Sequence, residues 1–219
     1  LLDIANLLQC ARAVRSYAGG AGGQEKTAID GLFRSLQSNR YLEDKIRGAI
    51  LGEEEIADGA SSELSDIRRK IRAANARVRD ALQKIISSPG YAKALQEPII
   101  TQRSERYVVP VKADHRSAVP GLVHDVSASG ATLFVEPMGA VKANNELREL
   151  RVKERQEVER ILAELSADCA QFREDIVQDY ETVVALDRIF AKAKLSFRLD
   201  GQAPALSEAG RVWLRRARH

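Results

Sequence analysis

Apolar residues recur along most of this chain at helical steps of three and four, and one strand-like block interrupts that pattern. Residues 1–18 place Leu1, Ile4, Leu7, Leu8, Ala11, Val14 and Ala18 three or four apart, the single stripe of an amphipathic helix. The run GGAGG at 19–23 costs too much backbone entropy for a helix to continue and predicts a turn. From 27 to 49, Ile29, Leu32, Phe33, Leu36, Leu42 and Ile46, with Ile50 just beyond, suggest two short helices interrupted near Ser38 and Asn39. GEEEIADGASS, 52–62, reads as an irregular connector ending at a helix start, with Ser61 or Ser62 as N-cap and Glu63 and Asp66 in the positive first turn.

The clearest period follows. Leu64, Ile67, Ile71, Ala74, Val78, Ala81 and Ile85 alternate steps of three and four, the seam of a helix that needs a partner helix along its length. Residues 140–200 contain neither Gly nor Pro, and Val158, Ile161, Leu165, Cys169, Phe172, Ile176, Tyr180 and Val183 supply a matching stripe, so an antiparallel pair is expected. Sixty helical residues would span about 90 Å, longer than a compact domain of this mass is wide, which predicts a bend or break between 163 and 193.

Between the helical stretches, from Pro98 to Pro137, the sequence turns strand-like. Ile99–Thr101, Arg106–Lys112, Leu122–Val126 and Thr132–Val135 are rich in β-branched and aromatic residues, and Ser127-Ala128-Ser129-Gly130 supplies a hairpin loop. Pro110, which cannot donate to a ladder, argues for an edge strand or a bulge there. The expected fold is mainly α with a small antiparallel β insertion. Its parts are a helical stretch at 1–60, a first long helix at 61–97, the β insertion at 98–137, a returning helix at 138–195 and a connector at 196–219.

Composition narrows the class. Of 219 residues 44% are apolar and 30% charged, which suits long solvated helices better than one thick globule. The formal charge of +3 is too small to prove a polyanion partner, so the placement of charge must decide. Cys10 and Cys169 lie far apart in no metal or redox spacing, which fits a reducing, cytoplasmic setting. No apolar run approaches the roughly 20 residues of a membrane helix. The chain opens in mid-pattern without Met, and is expected to be a piece of a longer protein.

Six basic residues without an acid fall between Arg68 and Arg79. Arg68, Arg72 and Arg79 line one side of the apolar seam, and Lys70 and Arg77 the other. The favoured reading pairs them across to Glu146, Glu149, Glu154 and Glu157, and the other is a track for backbone phosphates. In the β insertion Arg103, Arg106, Lys112 and Arg116 are the candidate nucleic-acid contacts, although residues 97–137 carry four Lys or Arg against five Asp or Glu. Catalysis by His124, Asp125 and Ser127 or Ser129 is disfavoured, because adjacent strand positions point to opposite faces and the pattern G-x-S-x-G is missing. His115, His124 and His219 show no ligand spacing, so no metal is expected, and a phosphate-cradling G-x-x-x-x-G-K-[ST] is absent.

ITQRSERYVVPVKADHR followed by GLVHDVSASGATLFVEP resembles the core and clamp region of the bacterial MutS-II proteins, the MutS branch with a C-terminal Smr nuclease domain. SSELSDIRRKIR and NNELRELRVKERQEVERIL extend the resemblance. GRVWLRRARH is similar to the junction before the family's ATPase domain, and the first 50 residues match more loosely. The resemblance implies a helical core and two lever helices carrying a β clamp at their tips, in a homodimer that encloses its ligand. Arg103, Arg106, Lys112 and Arg116 would face that ligand. It further implies that the parent is a DNA-binding ATPase and endonuclease linked to suppression of homologous recombination and to collided ribosomes. ATP and Mg belong to a domain outside this chain, so this piece needs no cofactor and is not itself an enzyme. The mismatch-reading domain and its stacking Phe motif are not found. The leading expectation is a non-catalytic clamp on nucleic acid, DNA first and ribosomal RNA second. The alternative is a dimerisation or ribosome-docking coiled-coil module.

Overall fold

The computed structural model describes residues 1–20, 27–201, 208, 210 and 212–214. The expected glycine turn from residue 21 on, and most of the 196–219 connector, lie outside the described residues. The fold is mainly helical with two small antiparallel sheets: α1 Leu2–Gly20, α2 Asp30–Ser35, α3 Arg40–Ala49, β1 Ile50–Gly52, β2 Glu55–Ile56, α4 Ser62–Ile86, β3 Thr101–Arg103, β4 Arg106–Lys112, β5 Gly121–Val126, β6 Thr132–Pro137, α5 Met138–Gln171 and α6 Arg173–Leu199. The chain forms two compact units, one of residues 48–164 and one of residues 1–47 with 165–219.

In the helical unit α1, α2 and α6 pack around Ala11, Leu36 and Leu186. Arg12 grips the buried Glu43 through two hydrogen bonds of 2.9 Å, holding its carboxyl below the usual range. Asn39 accepts from the Leu42 amide and so caps α3 at the predicted interruption. The long returning helix breaks at Phe172, whose backbone leaves the helical region without a capping side chain, inside the interval that length demanded.

In the other unit Ser61 caps α4, its hydroxyl accepting from the Leu64 amide at 2.9 Å. The helix stops at Ile86, not near 97, because Ser88-Pro89-Gly90 cannot continue it. α4 runs antiparallel to the first half of α5: Ser61 meets Glu157, Arg68 meets Glu154, Ala74 packs on Leu147 and Leu150, and Arg77 meets Glu146. The partner stripe therefore includes Ala140, Leu147 and Leu150, N-terminal to the expected residues and set in sequence so densely charged that it reads as a solvated helix, while the expected Ile161 is buried in the same unit. From Leu165 on, the stripe expected to face α4 belongs to the helical unit. Ile50 to Ile56, expected as helix end and connector, form the hairpin β1–β2, too short to register as a period.

The four-stranded sheet has the order β3-β4-β6-β5. Val109, Val111 and Val135 line its inner face and pack on Val78 and Leu82 of α4 and Ala140 of α5. Each such side chain contributes about 1.5–3 kcal/mol of burial. Pro110 lies in an interior strand, which corrects the edge-or-bulge expectation. The reason is local: its carbonyl accepts from the Gln96 amide, so its nitrogen faces the same side, where residues 94–96 make only a single bridge at Leu95–Val111. The missing donor thus falls opposite Gln96, at the last rung of that short pairing. Gly121 is required opposite Pro137, because a Cβ there would overlap the Glu136 carbonyl.

Candidate nucleic-acid interface

The outer side of the sheet carries Arg103, Arg106 and Lys112, three of the four residues expected to touch a ligand, and it is built around one buried carboxylate. Glu136, fully buried on β6, receives Arg106 Nη1 on both carboxylate oxygens at 2.8 and 3.0 Å and Asn144 Nδ2 at 2.8 Å. His124 Nε2 lies 2.5 Å from its Oε2. His124 reaches it because β5 slips register between Val123 and Asp125, and the extra residue of a bulge re-aims its side chain.

Asn144 of α5 completes the strand ladder. β6 reaches Pro137, which has no N–H to offer Tyr107 of β4. The Asn144 amide stands in: its Oδ1 accepts from the Tyr107 amide at 3.3 Å and its Nδ2 donates to the Tyr107 carbonyl at 3.0 Å. Arg106 Nη2 extends the network to Asn145 Oδ1 at 2.7 Å. Side chains of α5 thereby fasten the sheet to the helix.

The four expected contacts are distributed unequally. Arg103 ion-pairs with Asp125 at 3.2 Å and stacks its guanidinium 4.1 Å from the centre of the Phe134 ring. Lys112 donates to the Lys93 carbonyl at 3.2 Å. Arg106 is turned inward on Glu136, with only 14% of its side chain exposed. Arg116 donates to the carbonyls of Val119 and Gly121, closing the 3-10 turn at 113–118. The outer face thus retains Arg103 and Lys112 as partly open cations, while Arg106 and Arg116 hold the sheet together. The tip of the β3–β4 hairpin is unusual: Ser104 and Glu105 both take positive φ, 48° and 62°, positions that favour Asn and Gly.

His124 and Asp125 do not orient one another, and the Ser127 and Ser129 hydroxyls serve the hairpin, with Ser127 Oγ accepting from the Thr132 amide at 3.0 Å. Among the described residues no group of three or more His, Cys, Asp and Glu could hold a metal ion, and no helix is long and apolar enough to cross a membrane. Sequence reasoning missed Glu136 and Asn144. The available signal was the Asn144-Asn145 pair inside a helical run, since Asn is a poor helix former and such a position usually has a tertiary partner.

These features define a mainly helical chain that carries a braced, partly basic antiparallel sheet on an antiparallel helix pair. Along its whole length the chain is similar to proteins named Endonuclease MutS2: 49% identical over 219 residues to that of Pelotomaculum thermopropionicum, 44% over 220 residues to that of Ruminiclostridium cellulolyticum and 45% over 221 residues to that of Clostridioides difficile. It spans 28% of the length of each. No family model matches the chain.

Proposed function

We propose that this chain is the core, lever and clamp portion of a longer MutS-II protein, and that it holds nucleic acid by the phosphate backbone without catalysing a reaction. The observation that carries this reading is similarity over the entire chain to proteins named Endonuclease MutS2. The architecture suits it: α4 and α5 act as levers and the sheet, at the C-terminal end of α4 and the N-terminal end of α5, acts as the clamp. Arg103 and Lys112 approach phosphates directly, and Arg106 and Arg116 act by keeping the sheet in shape. The longer protein would add the ATPase with ATP and Mg, the nuclease and the homodimer, in the cytoplasm, with roles in suppressing homologous recombination and at collided ribosomes.

A second reading, docking on a partner protein or a ribosome, draws support from the sheet's open edge, where Leu122, Val123 and Val126 of β5 are exposed. Fluorescence anisotropy with a labelled 30-base-pair duplex discriminates. Backbone holding predicts affinity that falls steeply with salt and a shallower slope in Arg103→Ala with Lys112→Ala. Salt-insensitive binding, or no retention of nucleic acid by a stable dimer, favours docking.

A further inference from the structure

The helix pair carries arginines that the ion pairs do not use, and these lie on one side, whereas Lys70, Lys84, Lys142 and Lys153 fall toward the other. At about 100° per residue, Arg68, Arg72 and Arg79 fall within about 40° of one another on α4, and Arg148, Arg151 and Arg155 within about 60° on α5. The Arg77–Glu146 ion pair, 2.7 Å, closes one side of the seam between the helices. Both arginine stripes lie about half a turn from that pair, so in the antiparallel arrangement they share the other side.

Contacts agree with this phase. Arg68 and Arg72 meet on Asp58, and Arg68 also takes Glu154. Arg151 reaches the Glu105 carbonyl at the β3–β4 hairpin, on the side where Asn144 meets Tyr107. Arg72 stays 63% exposed despite its ion pair. Arg79, Arg148 and Arg155 are exposed and have no ion-pair partner among the described residues. The carboxylates near this flank are Asp58 and Glu154, already engaged, and Glu105 and Glu159 at its margins.

We propose that this flank of the α4–α5 pair, with Arg72, Arg79, Arg148, Arg151 and Arg155, is a binding track for a phosphodiester backbone. The proposal rests on the nucleic-acid reading above and moves the main contacts from the sheet to the helices. Spacing suits the ligand: Arg72 to Arg79 and Arg148 to Arg155 are each two turns apart, about 10.5 Å of rise, or about three steps of 3.4 Å along the axis of a duplex. Arginines left without carboxylates gain from phosphate contact without first breaking an ion pair.

The test is anisotropy on the full chain with 30-base-pair DNA and RNA duplexes across a salt series. Arg79→Ala/Arg148→Ala/Arg155→Ala removes exposed side chains that no ion pair needs, and a thermal melt checks that the fold is kept. Expected are an affinity loss of at least about tenfold near 0.1 M salt and a slope of log K against log salt shallower by about 2 to 3, from roughly 0.9 per phosphate contact. Lys70→Ala/Lys84→Ala, on the closed side, is expected to shift the slope by less than about half as much. A drop on either duplex supports the track and identifies that nucleic acid as its source. If the triple variant binds both duplexes like the parent while Arg103→Ala/Lys112→Ala does not, the track is overturned and the clamp reading survives. If the closed-side variant loses as much as the triple, charge without placement explains binding and the track is overturned. Absence of binding by the unaltered chain overturns both.

Discussion

Glu136 in the sheet unit and Asp179 in the helical unit are both fully buried carboxylates, yet their surroundings differ. Glu136 is met on both oxygens by Arg106, Asn144 and His124. Asp179 accepts the Gln37 amide on Oδ1 at 2.7 Å and has no partner on Oδ2. Burial pushes its carboxyl above the ordinary range; Asp175 adds to this, while the Gln37 amide and Arg15 oppose it. A charge surrounded by donors organises its neighbours, because each donor is tied to a particular element: β4, β5 and α5 all converge on Glu136. A carboxylate with half its needs met ties one loop to one helix and carries a desolvation cost.

The largest effect that could break this contrast is expected from Arg106→Ala. It leaves Glu136 buried without its charge partner and should cost about 3–5 kcal/mol of stability in urea unfolding. A cost below about 1 kcal/mol would place Glu136 on the same footing as Asp179. Next is Asn144→Ala, which strands the Tyr107 backbone groups and removes one donor to Glu136, for about 2 kcal/mol. Hydrogen exchange at the Tyr107 amide should quicken while exchange in α1 stays unchanged. The smallest effect belongs to Asp179→Asn. Because the folded carboxyl holds its proton more tightly than the unfolded one, the parent should gain stability relative to the variant as pH falls from neutral, and the gain should level off below about 3.9. Parallel pH curves for the two proteins would show that Asp179 is not strained.

Much of the framework was legible because it depends on local chemistry. β4 runs from Arg106 to Lys112 as its β-branched and aromatic content implies, Ser61 caps α4, and the Ser127–Gly130 turn has Gly130 at φ 73°. What failed to show depends on register. Nothing within TLFVEP marks Glu136 as buried, because its burial follows from the β5 bulge and from a helix that begins two residues later. Arg106 reads as a phosphate contact for the same reason: its carboxylate partner is 30 residues away and appears only once β4 and β6 are aligned. The arginine flank was half visible, since the α4 stripe stands out in sequence, whereas its α5 counterpart is interleaved with Glu146, Glu149, Glu154, Glu157 and Glu159.

Arginine-selective modification with phenylglyoxal, read peptide by peptide with and without saturating duplex, tests the central claim most directly. Backbone holding along the helix pair predicts that duplex protects Arg79, Arg148 and Arg155, while exposed Arg40 in the helical unit reacts equally in both states. Equal reactivity at Arg79, Arg148 and Arg155 with duplex bound would contradict it.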